Sequence, residues 1–179
     1  MPADLELFQT ICADFEDILP NELHSTFSAI LGAQYLQETH DDAHQKQVRG
    51  IVWGASLRPI ISLTVQITES MLTLSGSGRP IHVHFLYLAA SAQTYLSDEA
   101  LRALGIEDMV VVGEGHERSS NTGSLHLPLK INGYTLLVAR SPSDAHFAHL
   151  NILGQDFVKI TGAQVFFGGH IPRFEITFP

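Results

Sequence analysis

From residue 48 onward, the spacing of apolar residues changes from a helical to a strand-like pattern. Polar residues at 62, 64 and 66 alternate with apolar residues at 61, 63, 65 and 67. Alternation of this kind is typical of strands with one buried face. Asn132-Gly133, which suits a type I′ turn, lies between apolar runs at 125–131 and 134–139. We therefore predict a mainly β body over residues 48–179.

The remaining elements of this body are predicted from shorter runs. Further strands are expected at 51–53, 71–74, 81–88, 109–112, 164–167 and 174–178, with hairpins joining 71–74 to 81–88 and 164–167 to 174–178. Short helices are expected at 98–104, where Ser97 is a suitable N-cap, and near 155–160.

Residues 1–47 have apolar residues three and four positions apart. This spacing predicts two amphipathic helices, one over 4–19 that ends at Pro20 and one capped by Asn21 that extends to Tyr35. A polar linker follows at 37–47. The first 45 residues contain nine acids and no Lys or Arg, in a chain of net charge −9. We interpret this acidity as a solvated helical face rather than a docking surface for a basic partner.

Composition excludes several classes of function. The single cysteine, Cys12, cannot form an internal disulfide, which suits a reducing compartment. Neither part of the chain has the basic patch of a nucleic-acid-binding protein. No apolar run approaches the ~20 residues that span a bilayer, and no signal peptide is visible. We expect an intracellular, cytoplasmic protein without a nucleic-acid or membrane partner.

The stretch from Phe85 to Ser97 has the layout of a site without reactive groups. An apolar strand ends in Ala89, Ala90 and Ser91, whose small side chains allow a ligand or a second backbone to approach. No Asp, Glu, Cys, Lys or His lies between Phe85 and Ser97. A nucleophilic Ser91 would need a base and an orienting acid, so we favour a role in turn packing.

Ten histidines invite a search for a metal site. The close pairs are His40 with His44, His82 with His84, and His146 with His149. Each pair offers two ligands, whereas zinc takes three or four ligands and also needs ordered residues that orient those ligands. We expect surface or hydrogen-bonded histidines and no metal or other cofactor. Residues 75–78 are interpreted as a hairpin turn rather than a phosphate-binding loop.

The order of motifs over residues 70–167 resembles that of the retroviral-type, or retropepsin-like, aspartic proteases. Phe85-Leu86-Tyr87 matches the strand before the catalytic loop, and Thr94-Tyr95-Leu96 matches the element after it. Residues 113–123 lie at the position of the flap, and residues 151–157, Asn-Ile-Leu-Gly-Gln-Asp-Phe, match the second signature. The resemblance implies a closed β-barrel lobe. The binding residues that it implies are Thr94, Gly113, Gly115, Gly123 and Gly154.

The catalytic motif of this family is missing. Counting back from Thr94, Asp-Thr-Gly falls on Leu88-Ala89-Ala90, and a shift of one residue puts Ala89 at the Asp position. The family's reaction needs two carboxylates that share a proton, one from each lobe. The resemblance therefore implies a degenerate site, Leu88 to Ser91, without acid-protease activity. Asp156 is expected to act structurally at the start of a helix.

Three functions follow from this resemblance. The first, which we favour, is an inactive pseudoprotease that forms a homodimer through loop 88–91 and the C-terminal strands and can hold an extended peptide. The second is an aspartic endopeptidase whose catalytic Asp has been substituted in this sequence. The third is a retroelement-derived assembly protein that associates through its N-terminal helices. Those helices could instead cover the dimer surface in a monomer, and residues 113–123 are expected to form a mobile loop over the site.

Overall fold

A closed barrel of six strands is the centre of the part of the chain that the structure describes. The structure is a computed structural model, and it describes residues 18–40, 44–72, 78–106, 126–142, 147–168 and 173–179. The mainly β body predicted from the alternating pattern is confirmed.

Nine strands and five short α-helices are formed within these described ranges. The strands are β1 (Gln47–Trp53), β2 (Arg58–Ile67), β3 (Ile81–Tyr87), β4 (Tyr95–Leu96), β5 (His126–Ile131), β6 (Tyr134–Arg140), β7 (Asn151–Leu153), β8 (Gln164–Gly168) and β9 (Arg173–Thr177). The helices are α1 (Pro20–Glu22), α2 (Ser28–Leu31), α3 (Glu69–Leu72), α4 (Asp98–Ala103) and α5 (Gln155–Thr161), with a π-helical turn (Leu23–Phe27) between α1 and α2.

The barrel closes because β2 pairs with strands on both of its edges. Its strands follow the order β3–β7–β4–β6–β5–β2, and β2 returns to β3 through an antiparallel ladder from Ile60↔Leu86 to Val65↔Ile81. The pairs β3–β7 and β4–β6 are parallel. Parallel pairing in register, from Phe85↔Asn151 to Tyr87↔Leu153, brings the ends of β3 and β7 together. The segments that follow these two strands are therefore neighbours.

Three strands extend the sheet beyond the barrel. The edge of β2 that faces away from β3 pairs with β1 at Ile60 and with β5 at Val65 to Ile67. From β1 the sheet continues through β9 to β8, which is its last strand among the described residues. A Cβ at Gly50 would collide with the Ile60 carbonyl and the Phe174 ring, so only glycine fits this crossing.

The two faces of β2 have different surroundings. Its apolar residues Ile61, Leu63, Val65 and Ile67 are buried. Its opposite face carries the alternating polar side chains, and residues 18–40, which we call the N-terminal cover, contact the same sheet. Four residues of this cover belong to the main hydrophobic core: Ile18, Leu23, Phe27 and Tyr35.

The start of the N-terminal cover differs from the prediction. Pro20 is the first residue of α1 instead of the end of a preceding helix, which suits a residue without an N–H. The Glu22 carboxylate, and not Asn21, satisfies this helix start by accepting a hydrogen bond of 2.8 Å from the Leu19 N–H. The helical segment 20–31 ends at Gly32, whose φ is 68°.

The hairpin predicted at Asn132-Gly133 is confirmed. Both residues have positive φ, 48° and 82°, as a type I′ turn requires. The Asn132 amide is buried, accepting a hydrogen bond from the Gln45 N–H and donating one to the Gln45 carbonyl. These bonds tie the segment before β1 to the hairpin.

The strand predicted at 71–74 is wrong over its first two residues. Met71 lies in α3, whose first turn is closed by a hydrogen bond of 2.9 Å from the Met71 N–H to the Thr68 carbonyl. The antiparallel partner of β3 is β2, so the predicted local hairpin is not formed. The predicted strand 109–112, the loop with Gly113, Gly115 and Gly123, and most of the predicted first helix lie outside the described residues. None of the described helices is long and apolar enough to cross a membrane.

Candidate functional site

The loop after β3 is fixed by main-chain hydrogen bonds. The Leu88 N–H donates to the Leu153 carbonyl at 3.0 Å, and the Gln155 N–H donates to the Ser91 carbonyl at 2.9 Å. A turn closes between them, with the Ser91 N–H donating to the Leu88 carbonyl at 2.9 Å. Ala89 and Ala90 are exposed at its tip. Residues 88–91 thus form a hydrogen-bonded turn whose exposed tip presents the methyl groups of Ala89 and Ala90.

A group of hydrogen bonds, which we call the Thr94–Asp156 clasp, joins this loop to α5. The Asp156 carboxylate accepts hydrogen bonds from the Thr94 N–H at 2.9 Å and the Thr94 hydroxyl at 2.6 Å. The carboxylate also accepts a hydrogen bond from the Phe157 N–H, and the Thr94 hydroxyl oxygen accepts one from the Gly154 N–H. Asp156 is therefore committed to structure, as expected from the sequence.

Gly154 is required for its size. Its φ of −93° is open to any residue. However, a Cβ built there would collide with the Gln93 carbonyl. A larger residue would push the loop away from β7, so the glycine of the second signature permits the close approach of two backbones.

The sequence-predicted residues that lie in the described ranges come together at this place. They are Leu88, Ala89, Ala90, Ser91, Thr94 and Gly154. The Ser91 hydroxyl donates to the Gln93 carbonyl at 2.7 Å, which is a turn contact and not an activated nucleophile. Because the one carboxylate in these contacts is already bound by three donors, the loop offers no group for proton transfer.

A polar contact beside the loop was not found from the sequence. The Gln93 amide lies 3.1 Å from His126 Nε2, and the Tyr95 hydroxyl donates to the Gln93 oxygen at 3.3 Å. His126 lies 33 positions from Gln93 in the chain, so no local pattern links it to Gln93 and Tyr95.

An aromatic row connects the end of β3 to the C-terminal strands. Tyr87 stacks on Phe174 with ring centroids 5.6 Å apart, and Phe174 contacts Phe167 at 5.4 Å. Phe167 is 60% exposed, although it lies opposite the buried Phe174 in the β8–β9 ladder. Phe166, on the other face of β8, is 48% exposed. β8, at the edge of the sheet, thus carries an exposed phenylalanine on each face. One of them, Phe167, contacts Phe174, which in turn stacks on Tyr87 at the end of β3.

A second polar cluster lies between β3 and the N-terminal cover. Its centre is His84, which is 1% exposed and faces Ser62 across the β2–β3 ladder. His84 Nε2 lies 3.2 Å from the Ser28 hydroxyl, and its ring packs against Tyr35 with centroids 5.2 Å apart. Neither His84 Nδ1 nor the Ser62 hydroxyl, both buried, has a hydrogen-bond partner among the described residues.

Asn151 links this cluster to the frame of the site. Its amide nitrogen donates to the Tyr35 hydroxyl at 2.8 Å and to the His84 carbonyl at 3.1 Å. Its amide oxygen accepts hydrogen bonds from the N–H and the hydroxyl of Ser97, the N-cap of α4. A buried asparagine thus uses both ends of its amide to join the cover, β3 and α4.

Burial controls the electrostatics of this cluster. Desolvation, together with smaller contributions from charge repulsion by the nearby His82 and His24, lowers the pKa of His84 to about 4. Desolvation raises the pKa of Tyr35. His24, at the edge of the cluster, pairs with the Glu99 carboxylate at 2.8 Å. This burial was not predicted from the sequence, because alternating polar residues on β2 and β3 predict a solvated face.

The other histidines that the structure describes make separate contacts. His44 packs against Tyr134 and Phe178, and His149 Nε2 lies 2.9 Å from the Ile18 carbonyl. No group of three or more His, Cys, Asp or Glu side chains suited to a metal occurs in the described part of the chain. A polar cavity of about 290 Å³ lies on the same side of the sheet as the N-terminal cover, lined by Gly32, Ser62 and Thr64 among others.

Comparison with known proteins gives no family assignment. No model of a protein family matches the chain, and no curated protein matches its sequence.

Proposed function

We propose that this chain is a catalytically inactive, retropepsin-like lobe with an α-helical N-terminal extension. It acts inside the cell as a homodimer that holds an extended peptide, and its origin is a retroelement protease. The observation that carries the proposal is the Thr94–Asp156 clasp. It joins the two motifs of the resemblance, Thr94-Tyr95-Leu96 and residues 151–157, beside the loop where that family has its catalytic Asp.

The contents of the loop support the absence of protease activity. Leu88, Ala89 and Ala90 have no proton to transfer, and the nearby Asp156 carboxylate already accepts bonds from Thr94 and Phe157. Activation of water by the aspartic mechanism needs a carboxylate pair at the two-fold axis. The loop keeps a well-defined backbone, so the frame has been retained while the reactive groups have been lost.

Exposed apolar surface supports the homodimer. The exposed Ala89 and Ala90 lie at one end of the row formed by Tyr87, Phe174 and Phe167, and the edge of β8 follows at the other end. A terminal strand without charged residues, with an exposed phenylalanine on each face, favours association through its edge. A second copy related by a two-fold axis would cover the same surface on both chains.

The dimer is tested by sedimentation of the full chain at micromolar concentration. We expect a species of twice the 19.6 kDa monomer mass. Phe167→Glu should shift it toward the monomer, whereas Leu137→Glu, at a leucine that is 59% exposed on β6, should not. A single species at the monomer mass in the unaltered chain would contradict the dimer and favour a lobe covered by its own N-terminal helices.

Protease activity is tested with the family motif restored by Leu88→Asp, Ala89→Thr and Ala90→Gly. We expect no cleavage of peptides by the unaltered chain or by the restored variant. Cleavage by the restored variant, blocked by a transition-state-analogue inhibitor of aspartic proteases, would favour the alternative of an endopeptidase with a substituted catalytic Asp. Binding of the same inhibitor to the unaltered chain, measured by calorimetry, tests the peptide groove separately.

A further inference from the structure

We propose that the N-terminal cover is an acid-sensitive latch, in which protonation of His84 releases the helical segment 20–31 from β3. The proposal concerns a different face of the molecule from the degenerate site, and it does not depend on the proposed function.

The hydrogen bonds around Ser28 determine the tautomer of His84. The Ser28 hydroxyl donates its proton to the Leu23 carbonyl at 2.9 Å and accepts a hydrogen bond from the Tyr35 N–H at 2.9 Å. Its contact with His84 Nε2 at 3.2 Å therefore requires a proton on Nε2. In the neutral ring, Nδ1 then carries a lone pair and no proton.

Acid adds the second proton at Nδ1, where nothing receives it. The atom is buried and has no hydrogen-bond partner among the described residues. The Ser62 hydroxyl lies opposite in the ladder but makes no hydrogen bond with it. A buried, positively charged N–H without an acceptor carries a large desolvation cost, so the docked segment opposes protonation.

The groups around His84 do not offset this charge. Charge repulsion from His82, on the same strand, and from His24, on the helical segment, disfavours the charged form of His84 and lowers its pKa. Tyr35 stays neutral because burial raises its pKa. The Glu99 carboxylate of α4 is paired with His24 at 2.8 Å. The described neighbours of His84 therefore include two bases, a neutral phenol and a carboxylate that is already paired.

Release of the segment exposes Leu23 and Phe27 of the core, while the chain that follows it keeps its own attachment to β3. Beyond Gly32, the chain is held separately by main-chain hydrogen bonds, from the Leu36 N–H to the His82 carbonyl at 2.7 Å and from the Thr39 N–H to the Pro80 carbonyl at 2.9 Å. The helical segment itself meets the sheet through side chains such as Ser28 on His84 and Phe27 on Trp53. Opening at Gly32 returns His84 to water and its ordinary pKa.

The direction of the effect follows from the two protonation states. His84 has a pKa of about 4 when the segment is docked and its ordinary pKa of 6.5 when the segment is open. The open form therefore binds more protons between these values, so docking is intact above pH 6.5, weakens as pH falls, and levels off below about 4. From these pKa values, the opening equilibrium should rise about 30-fold between pH 7.5 and pH 5.

Amide hydrogen exchange of the full-length chain measures this equilibrium. After correction for the intrinsic pH dependence of exchange, protection of residues 23–31 should fall about 30-fold from pH 7.5 to pH 5. The β5–β6 hairpin serves as the internal reference and should change little. Trp53, the one tryptophan of the chain, contacts Phe27 and gives a second signal through its emission.

Two histidine variants identify the sensor. His84→Gln should remove the loss of protection, whereas His24→Gln, at a more exposed histidine of the same cluster, should retain most of it. Equal loss in His84→Gln and the unaltered chain would overturn the proposal, as would its disappearance in His24→Gln alone. If His84→Gln does not fold, the imidazole titration of His84 by NMR replaces it. The lower break in the protection profile must then coincide with the pKa of that ring.

Discussion

The loop at residues 88–94 and the cluster around His84 differ in how completely their polar groups are hydrogen-bonded. In the loop region, the polar groups of Asp156 and Thr94 are hydrogen-bonded to donors or acceptors. No side chain of the loop is chemically reactive. Around His84, by contrast, an imidazole nitrogen and a hydroxyl are buried without a hydrogen-bond partner among the residues that the structure describes. The titratable chemistry of the described chain is thus concentrated away from the degenerate site.

The loop region is suited to holding one fixed structure, whereas the His84 cluster is suited to responding to pH. A fully satisfied polar network fixes one backbone arrangement, because each lost bond leaves a buried group unpaired. A cluster in which some buried polar groups lack hydrogen bonds is less stable, and a histidine in it can make that stability depend on pH. Substitutions in each region, with a surface ion pair as reference, distinguish the two regions by experiment.

Gly154→Ala should be the most damaging change in the loop region. The added methyl would collide with the Gln93 carbonyl, which is main chain and cannot rotate away. We expect a loss of about 3 kcal/mol in the free energy of unfolding, measured in urea. Gly105→Ala is the matched control, since its φ is 70° but nothing lies within 4 Å of a Cβ there, so backbone strain alone should cost about 1 kcal/mol.

Asp156→Ala should cost about 2 kcal/mol, since it leaves the Thr94 and Phe157 N–H groups without their acceptor. Thr94→Val tests whether the clasp acts as one unit. In a double-mutant cycle, the combined loss should be smaller than the sum of the single losses, because both changes break the same bond. Strict additivity would show that the two residues act independently and would weaken the case for a clasp.

Tyr35→Phe tests the cluster at neutral pH. The change removes the acceptor of the Asn151 amide while the bond from that amide to the His84 carbonyl remains. We expect a loss of about 1 kcal/mol, smaller than for Asp156→Ala because no charged acceptor is removed. Tyr95→Phe is the control, since its hydroxyl makes one longer contact of 3.3 Å with Gln93. Equal losses in the two variants would contradict a special role for the buried bond.

The partly exposed Arg140–Asp98 ion pair is a reference for the stability effects expected in the two regions. Hydrogen bonding and charge from Arg140 lower the pKa of Asp98 below its ordinary 3.8, so this contribution to stability is present above pH 3.8 and lost as pH falls through the lowered pKa. The Asp98 side chain is 42% exposed, so solvent screening should keep the cost of Asp98→Asn below about 1 kcal/mol. Thermal unfolding at pH 7 and pH 3 should show the difference between variant and parent narrowing in acid.

Local signals in the sequence predicted much of the framework. The period-two pattern identified β2, the Asn-Gly pair identified the β5–β6 turn, and Ser97 was correctly assigned as the N-cap of α4. These features depend on residues that are close in sequence. The second signature likewise predicted α5, because its glycine and helix start are contiguous, whereas the strand before them, β7, was not predicted.

Long-range packing limited the rest of the prediction. The apolar run after Ser70 was interpreted as a strand, although Thr68 and Glu69 are also suitable helix-start residues. Burial of His84 depends on Ser28 and Tyr35, which are 56 and 49 positions away in the chain, and no local pattern reports such a contact. Asp156 was expected from the sequence only as a helix-start acid. Its bonds to Thr94 were not predicted, because the two residues lie 62 positions apart.

The bonds between Asn132 and Gln45 also affect the chemical ageing of the protein. Asparagine followed by glycine is the pair most prone to deamidation, in which the next main-chain nitrogen attacks the side-chain carbonyl and forms a succinimide. Here the Asn132 amide is buried and fixed at both ends by Gln45, which restrains it from turning toward the Gly133 nitrogen. Isoaspartate should therefore accumulate at this turn only after the segment before β1 has come away, so its appearance during storage would record local opening at that point.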